Sequence, residues 1–320
     1  MSEVAILGAG TMGHALALVF VLGGHRVRLT DTNEATLRRA PTLMNAALET
    51  LAEAGEVTPE QQTGVGQSVR LCPTLEETVA GADLVIEAIV EIEDVKKTLF
   101  HKLESLLGPE TILASNTSQL DPFPLVPAAL QRRTMITHWY TPPYLVDLVD
   151  VVGGPQTDPA VVEKVRAMLA AMGKAPIAFK KFVPGYIANR IQAAIGLEVN
   201  MLLDEGYATP RDIDDAVIHG LALRIPILGV MAKADFTGLL LMQAELAHRG
   251  YHPPPVRGKC ATLDKAIAEG RTGILAGAGY FDWKGRSAEE WFRVRDRKLV
   301  ALKKALRDIG SLHDERGDEA

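Results

Sequence analysis

Short apolar runs alternate with amphipathic segments along the first half of the chain. Residues 4–7 are an apolar run typical of a buried strand, and residues 12–22 form an apolar helical segment. Further strands are predicted over residues 25–30, 69–71, 83–88, 111–115, 135–138, 148–152 and 175–179. Helices are predicted over 34–54, 74–79, 93–107 and 161–172, with a polar, turn-rich loop over 56–66. This alternation predicts an α/β fold with a doubly wound parallel sheet.

The pattern changes near residue 183. Strand signals almost vanish, and the remaining apolar positions recur at helical spacing over residues 188–204, 211–219, 230–247, 260–269 and 291–309. We therefore predict two domains, residues 1–183 with the sheet and residues 184–320 as an all-α domain. A length of 320 residues is consistent with two domains.

A glycine motif lies between the first predicted strand and the first predicted helix. Gly8, Gly10 and Gly13 form a G-x-G-x-x-G, and Asp31 ends the second strand 18 residues later. The first glycine permits a tight turn, the second a close approach of pyrophosphate, and the third close packing of helix on strand. The helix N-terminus attracts phosphate, and an acid at position 31 can accept hydrogen bonds from ribose. This order predicts a Rossmann-type domain that binds NAD, since a carboxylate there repels the 2′-phosphate of NADP.

Composition and charge argue against several classes of binding partner. The net charge is −6, which argues against nucleic-acid binding, and no apolar run approaches the length of a membrane span. Only two cysteines, Cys72 and Cys260, are present, and they lack metal-ligand spacing. Together with a first strand that begins directly after residue 3, this predicts a cytoplasmic protein without a disulfide framework. We predict no metal site and no membrane partner.

His138 and Asp150 are the residues whose spacing suggests acid–base chemistry. His138 ends a predicted strand, Pro142 and Pro143 impose a turn, and the chain returns through Asp150. A carboxylate that holds one imidazole nitrogen fixes the tautomer and leaves the other nitrogen to take a proton. From spacing alone, this pair and an unconnected core histidine and acid are equally favoured.

Five motifs in order resemble the 3-hydroxyacyl-CoA dehydrogenase family, which also includes dehydrogenases of free hydroxy acids and a lens crystallin. They are the glycine motif at residues 8–13, VIEAIVE at 85–91, ASNTS at 114–118, His138 with its proline-rich turn, and PGYIANR at 184–190. The resemblance covers nearly the whole chain. It implies an NAD-dependent oxidoreductase that converts a 3-hydroxy group to a 3-keto group, and a homodimer formed by the helical domain.

The resemblance also implies roles for individual residues. His138 is the base that removes the hydroxyl proton, Asp150 is its carboxylate partner, and Ser118 and Asn189 hydrogen-bond the reacting oxygen or its neighbour. The implied cofactor contacts are Gly8, Gly10, Thr11, Met12, Gly13, Asp31, Glu91, Lys96, Ser118 and Thr141.

Two departures from the family pattern affect the catalytic region. Asp150 stands where glutamate is usual in the family, and its side chain is one methylene shorter. To contact His138 it needs a shift of the backbone or a bridging water, and otherwise it holds His138 less firmly. Asp147 is a rival partner, predicted on the other face of the strand. Thr141 replaces an asparagine that in the family contacts the cofactor, so it keeps a hydroxyl and loses an amide donor.

A third departure concerns the substrate. Ala47 and Ala54 replace the serine and lysine that face CoA in the family, and residues 48–57 contain three glutamates and no lysine or arginine. Binding the phosphates of CoA calls for basic groups. The alternatives are therefore an acyl-CoA substrate, as in fatty acid metabolism, and a non-CoA hydroxy acid, with Trp139 and Tyr140 lining a compact or aromatic pocket. A further alternative is a structural protein that binds the cofactor without catalysis.

Overall fold

The computed structural model describes residues 1–248, 250–256 and 258–312. The chain divides into two compact units, Met1–Tyr186 and Ile187–Ala320. The domain boundary predicted at residue 183 falls within the segment that joins the last strand to the second unit.

The first unit is built on one eight-stranded sheet. Its strands are β1 (Glu3–Leu7), β2 (Arg26–Thr30), β3 (Val69–Leu71), β4 (Leu84–Glu87), β5 (Ile112–Ser115), β6 (Thr134–Trp139), β7 (Leu148–Gly153) and β8 (Ala175–Phe179). They lie in the order β3-β2-β1-β4-β5-β6-β7-β8. The strand order reverses between β1 and β4, and ligands of such sheets bind at that point, outside the carboxyl ends of the strands. The doubly wound α/β fold is thus confirmed.

Helices cover the sheet. They are α1 (Gly13–Leu22), α2 (Glu34–Glu53), α3 (Pro59–Ser68), α4 (Leu75–Val79), α5 (Glu93–Glu104), α6 (Ala128–Gln131) and α7 (Pro159–Ala171). Helix α1 is buried along most of its length because nearly all of its residues are apolar. A core cluster joins the sheet to α5, with Phe100 and Leu103 packed against Val85 and Leu113. The centre of the sheet is therefore a rigid base for the side chains at its edge.

One prediction for this unit is wrong. Residues 56–66 were expected to form a loop, but α3 occupies most of that segment. Thr58 caps the helix, Pro59 occupies its first turn, and Gln61 completes a capping box with Thr58. These three residues are a helix-start signal that outweighs the polar composition and the two glycines of the segment.

The sheet is not parallel throughout. Strand β7 runs antiparallel to β6, and its other neighbour, β8, is parallel to it. The segment between β6 and β7 is only eight residues long, because β6 ends at Trp139 and β7 begins at Leu148. A parallel return needs a crossover of about a dozen residues or more. The short proline-containing turn therefore forces β7 to fold back along β6.

The second unit is helical. Its helices are α8 (Ala188–Asp204), α9 (Pro210–Ala216), α10 (Ile225–Leu228), α11 (Met231–Thr237), α12 (Leu239–Ala247), α13 (Ala261–Ala268) and α14 (Ala288–Ile309), with a π-helical turn over Val217–Ala222. The single helix predicted over residues 230–247 is broken at Gly238, whose φ of 98° interrupts helical geometry.

Within the described residues no single helix is both long and apolar enough to cross a membrane. The segments Pro210–Leu228 and Met231–Thr237 meet the criteria of length and composition only as a pair, across a bend of 106°.

Candidate active site

The three glycines of the first turn have different surroundings. Gly8 has a φ of 100°, and a Cβ there would lie 2.5 Å from the carbonyl oxygen of Ala88. A Cβ on Gly13 would lie 1.7 Å from the carbonyl oxygen of Gly8, whereas a Cβ on Gly10 would meet nothing within 4 Å. Gly8 and Gly13 are thus required by packing. Gly10 leaves an open surface on which a pyrophosphate can rest.

Helix α1 begins beside this surface without a side-chain cap. Met12 is the N-cap residue, its side chain makes no capping hydrogen bond, and the first turn contains no acid. The first N–H groups of α1 are therefore available to phosphate oxygens. Thr11, exposed just before the helix, lies within the same turn.

Asp31 closes the adjoining end of β2. Its Oδ2 accepts a hydrogen bond of 2.7 Å from the Ala9 N–H, and its Oδ1 accepts one of 2.8 Å from the Asn33 N–H. Asp31, Gly8 and Gly10 line a cavity of about 630 Å³. A carboxylate oxygen can accept more than one hydrogen bond, so Asp31 can still receive ribose hydroxyls. The open glycine, the uncapped helix and the fixed acid fit NAD.

His138 and Asp150 lie directly opposite each other on β6 and β7. The distance from His138 Nδ1 to Asp150 Oδ2 is 3.0 Å, and the residues are 3% and 1% exposed, respectively. The antiparallel return brings the shorter aspartate within direct reach, so neither a backbone shift nor a water is needed. An ionised carboxylate only accepts hydrogen bonds, so in this contact Nδ1 carries the hydrogen and Nε2 is left without one.

Asp147, the rival partner, lies before β7. Its Oδ1 is 3.3 Å from Lys174 Nζ. The same ammonium donates to the carbonyl oxygens of Pro143 and Val146, which ties the turn to the segment before β8. Asp150, and not Asp147, is therefore the acid that contacts His138.

Two tyrosine rings contact the imidazole of His138. Tyr186 stacks on it, with ring centroids 4.5 Å apart and planes inclined by 23°, and Tyr140 meets it edge-on at 4.7 Å. The Tyr186 hydroxyl donates to the carbonyl oxygen of Thr117 over 2.6 Å. Burial, followed by the negative charges of Asp150 and Glu91, raises the pKa of Tyr186 well above its ordinary value. Its hydroxyl therefore remains a donor.

Lys96, a predicted cofactor contact, is held between two carboxylates. Its Nζ lies 2.7 Å and 2.8 Å from the two oxygens of Glu87, and 3.1 Å from Glu91 Oε2. Glu87 also accepts hydrogen bonds from Ser115 Oγ and the Ile89 N–H. Lys96 is 1% exposed. In this geometry its ammonium group organises the carboxyl ends of β4 and β5, and direct contact with the cofactor stays a prediction.

Glu91 connects this network to the loop that contains Ser118. Its Oε1 accepts hydrogen bonds from the Thr117 hydroxyl and from the N–H groups of Ser118 and Gln119. Burial opposes ionisation of Glu91, but these hydrogen bonds and the nearby Lys96 outweigh it and lower the pKa of Glu91 to about 2. Glu91 is therefore ionised at neutral pH and fixes the backbone of Ser118.

The turn after His138 approaches the glycine loop. Thr141 Oγ1 donates to Met12 Sδ over 3.2 Å, so the structure brings together two predicted cofactor contacts that are distant in sequence. Trp139 is buried and meets Phe20 of α1 edge-on, with ring centroids 5.7 Å apart. Trp139 therefore belongs to the core and does not line a pocket, contrary to one sequence-based alternative.

Asn189, the remaining predicted catalytic residue, lies in the first turn of α8 in the second unit. Among the described residues there is no group of three histidine, cysteine or acidic side chains that could hold a metal ion. Sequence reasoning missed Glu87 and Tyr186, although each lies within a motif that it singled out. The signal for Tyr186 was its position after Gly185 in PGYIANR, and that for Glu87 was an acid at the end of an apolar strand.

Comparison with known proteins identifies the family of the chain. The NAD-binding domain of 3-hydroxyacyl-CoA dehydrogenase matches residues 3–182, and the C-terminal domain of the same enzyme matches residues 185–283. The chain belongs to the 3-hydroxyacyl-CoA dehydrogenase family. It is accordingly an NAD-dependent dehydrogenase that acts on CH–OH groups.

Family members with different substrates resemble the chain to a similar degree. It is 32% identical to 5-formyl-3-hydroxy-2-methylpyridine 4-carboxylate 5-dehydrogenase from Mesorhizobium japonicum, over 95% of this chain and 98% of that protein. It is 31% identical to L-carnitine dehydrogenase from Streptomyces coelicolor, over 98% of each chain. It is 32% identical to a probable 3-hydroxybutyryl-CoA dehydrogenase from Deinococcus radiodurans, over 88% of this chain and all of that protein.

Two solved structures extend this comparison. A 5-formyl-3-hydroxy-2-methylpyridine 4-carboxylic acid 5-dehydrogenase, described as an NAD+-dependent dismutase, superposes with a TM-score of 0.85 at 29% identity and covers 96% of this chain and 99% of its own. The (S)-3-hydroxybutyryl-CoA dehydrogenase PaaH1 from Ralstonia eutropha superposes with a TM-score of 0.68 at 27% identity, covering 89% of this chain and 99% of its own.

Proposed function

We propose that this protein oxidises a hydroxyl group of a small carboxylate that is not a CoA ester, with NAD as the hydride acceptor and His138 as the base. The buried contact of 3.0 Å between His138 and Asp150 carries the proposal. It lies on β6, which neighbours β5, and on β7, the next strand, at the same end of the sheet as the glycine turn. In such sheets that end binds both cofactor and substrate.

The proposed chemistry follows from the hydrogen-bond direction within the pair. When bound, NAD accepts a hydride from the carbon that bears the hydroxyl group. His138 Nε2 takes the hydroxyl proton as this C–H bond breaks. Asp150 accepts the Nδ1 hydrogen throughout and stabilises the imidazolium ion that forms. In the reverse direction the protonated His138 returns its proton to the new hydroxyl oxygen.

Neighbouring side chains have proposed supporting roles. Ser118 is half-buried, and its backbone is fixed by Glu91 through the 2.8 Å N–H bond and by Gly185 through a 3.1 Å bond to its carbonyl oxygen. This fixed position favours a hydrogen bond from the Ser118 hydroxyl to the reacting oxygen. The proposed cofactor contacts remain those of the sequence prediction, with Thr141 next to Met12. The role of Asn189 as a second hydrogen-bond donor stays a prediction.

The choice of a CoA-free substrate is supported by the charge of α2 and by the relatives. The last turn of α2 contains no basic residue, Ala47 is buried, and Ala54 caps the helix. Arg38, on the same helix, is paired with Glu34. Relatives named for a pyridine carboxylate and for carnitine match almost the whole chain. The structure of the pyridine carboxylate dehydrogenase superposes with a TM-score of 0.85, against 0.68 for the structure of PaaH1.

An assay of NADH oxidation tests the proposal. The enzyme is given free acetoacetate, acetoacetyl-CoA or a pyridine carboxylate with a formyl group, with His138→Gln as the matched control. We expect kcat/KM at least ten times higher with one of the free carboxylates than with acetoacetyl-CoA, and loss of that activity in the control.

The other outcomes identify the alternatives. A preference for acetoacetyl-CoA would contradict the substrate proposal and favour an acyl-CoA enzyme of fatty acid metabolism. The Deinococcus relative is named for such a CoA ester, as a probable 3-hydroxybutyryl-CoA dehydrogenase. Turnover that survives in His138→Gln would contradict the proposed base. Binding of NADH with no turnover of any of these compounds would favour a cofactor-binding structural protein.

We also propose that the protein is a cytoplasmic homodimer. Helices α11 and α12 expose several large apolar side chains, among them Met231, Phe236, Leu239 and Leu240. Apolar patches of this kind are typical of protein interfaces, and a second copy of the chain is the proposed partner. Light scattering after size exclusion should give twice the chain mass, and Leu240→Glu should shift it toward the monomer. A wild-type monomer would contradict the proposal.

A further inference from the structure

The hydroxyl of Tyr140 reaches the same carboxylate oxygen as His138. It donates to Asp150 Oδ2 over 2.6 Å, while His138 Nδ1 lies 3.0 Å from that oxygen. Within the part of the chain that the structure describes, the other oxygen of Asp150, Oδ1, is buried without a hydrogen-bond partner. Two donors therefore converge on one oxygen of a carboxylate whose second oxygen is unused.

We propose that Tyr140 is a positioning residue that holds the Asp150 carboxylate in the orientation in which it meets His138, and that it thereby lets an aspartate perform the orienting task. This inference rests on the proposed function, in which the pair acts as the base. It concerns a different residue and makes separate predictions.

The geometry gives the physical reason. The terminal torsion of an aspartate is broad, so a carboxylate held by one hydrogen bond can rotate out of alignment with its partner. A second donor on Oδ2 favours one orientation. The ring of Tyr140 also meets the His138 ring edge-on, with planes at 77°, so the same side chain contacts both members of the pair.

Tyr186 restrains the imidazole from its other side. Its stacked ring is anchored by the hydrogen bond to Thr117, and Phe179 and Phe182 pack edge-on against it. Tyr186 thus fixes the plane of His138, and Tyr140 fixes the acceptor within that plane. The two tyrosines have different tasks.

The titratable groups near the pair lie on four parts of the first unit. Asp150 faces His138 from β7, Tyr140 from the turn after β6, and Tyr186 from the segment after β8, while Glu91 acts on Tyr186 from the β4–α5 connection. A hydrogen bond from Tyr140 withdraws negative charge from Asp150. Its removal should therefore strengthen the pull of Asp150 on a protonated imidazole while loosening the orientation.

The first experiment observes His138 without any substrate. In full-length protein labelled with 15N-histidine, NMR reports the tautomer and the titration midpoint of each ring, and His138→Gln assigns the His138 signals. In wild type we expect the hydrogen on Nδ1. In Tyr140→Phe we expect the hydrogen to remain on Nδ1, because Asp150 still accepts it, and the midpoint to rise by about half a pH unit. Tyr207→Phe, at a side chain that is 73% exposed, is the matched control and should change neither.

The second experiment is a double-mutant cycle with Asp150→Glu. The longer side chain can reach His138 without help, but it crowds the Tyr140 hydroxyl. We expect about a tenfold loss of kcat in Tyr140→Phe with KM within twofold, a loss in Asp150→Glu, and a kcat in the double variant that exceeds that of Asp150→Glu alone. The assay is NADH oxidation with the most active compound of the three named above.

The outcomes separate the two proposals. Unchanged His138 signals in Tyr140→Phe, or kinetic losses that simply multiply in the double variant, would overturn the positioning role. Changed signals with no turnover of any compound would leave the positioning role standing and contradict the proposed function. A loss of thermal stability in Tyr140→Phe with an unchanged titration midpoint of His138 and an unchanged pH profile would assign Tyr140 a merely structural role and also overturn the inference.

Discussion

The first unit contains two clusters of ionisable groups built around buried side chains, and they differ in how completely their hydrogen bonds are satisfied. In the lysine cluster (Glu87, Glu91 and Lys96), the ammonium contacts three carboxylate oxygens, and Ser115, Thr117 and backbone N–H groups occupy the same carboxylates. In the histidine pair (His138 and Asp150), one carboxylate oxygen receives two donors, and the other has no partner among the described residues.

This difference indicates a structural role for the lysine cluster and a different role for the histidine pair. A buried charge that is paired and fully hydrogen-bonded is held in place, whereas an unsatisfied buried oxygen costs free energy. The lysine cluster joins the ends of β4 and β5 to the Ser118 loop. The histidine pair leaves Nε2 available for a proton. We therefore assign the lysine cluster to architecture and propose the pair as the base.

The largest expected effect is on turnover. His138→Gln removes the base, and kcat should fall by about a thousandfold because general bases contribute factors of this order. NADH affinity, measured by fluorescence titration, should stay within twofold of wild type. His219→Gln, an exposed histidine of the second unit, is the control and should retain full activity. Substantial activity in His138→Gln would show that the histidine pair does not supply the base, and the proposed difference in role between the two clusters would be wrong.

The next effect is on stability. Lys96→Met leaves Glu87 and Glu91 facing each other without a cation, and removing one partner of a buried ion pair costs about 3–5 kcal/mol. The free energy of unfolding in urea should fall by that amount. Lys97→Met, at the exposed neighbouring position, should change it by less than about 0.5 kcal/mol. Equal effects of the two substitutions would show that the lysine cluster does not support the fold.

A smaller loss of stability is expected at the tyrosine that lies between the clusters. Tyr186→Phe keeps the ring on His138 but leaves the buried Thr117 carbonyl without its donor, which costs about 1–2 kcal/mol. Denaturant unfolding measures this loss, and kcat should change less than threefold because the stacking survives. If kcat fell as far as in His138→Gln, the Tyr186 hydroxyl would have a role in catalysis and not only in stability.

The smallest effect is the pH dependence contributed by Glu91. Its pKa is about 2 in the folded protein against an ordinary value of 4.5, so the unfolded chain binds more protons between these values. The stabilisation by Glu91 is therefore complete above about pH 5 and is lost as pH falls from 4.5 toward 2. Because the side chain is partly solvated, the effect is modest. The difference in unfolding free energy between wild type and Glu91→Gln should shrink over this range, and a constant difference would contradict the assignment.

The sequence alone determined the predicted cofactor site, from the first strand to Asp31. Strand, glycines, helix and acid are local features, because the first turn of a Rossmann-type domain is continuous in the chain. Gly8, Gly13 and Asp31 lie where that motif requires. The prediction of a loop over residues 56–66 was wrong, although the capping box of Thr58 and Gln61 is also a local feature that the sequence contains.

The tertiary structure decided the contacts between residues that are distant in the chain. Which acid meets His138, Asp150 or Asp147, depends on the register of β6 against β7, and that register follows from the tight turn between them. The pairing of Lys96 with Glu87 depends on the packing of α5 over β4, and no spacing rule marks it.

Tyr140 and Tyr186 show the same division most clearly. One follows β6, and the other follows β8, yet both rings contact His138. Sequence patterns report which face of an element is buried, because burial repeats with the period of the element. They do not report which side chains of different elements meet, because that depends on strand order and register, which only the folded sheet fixes.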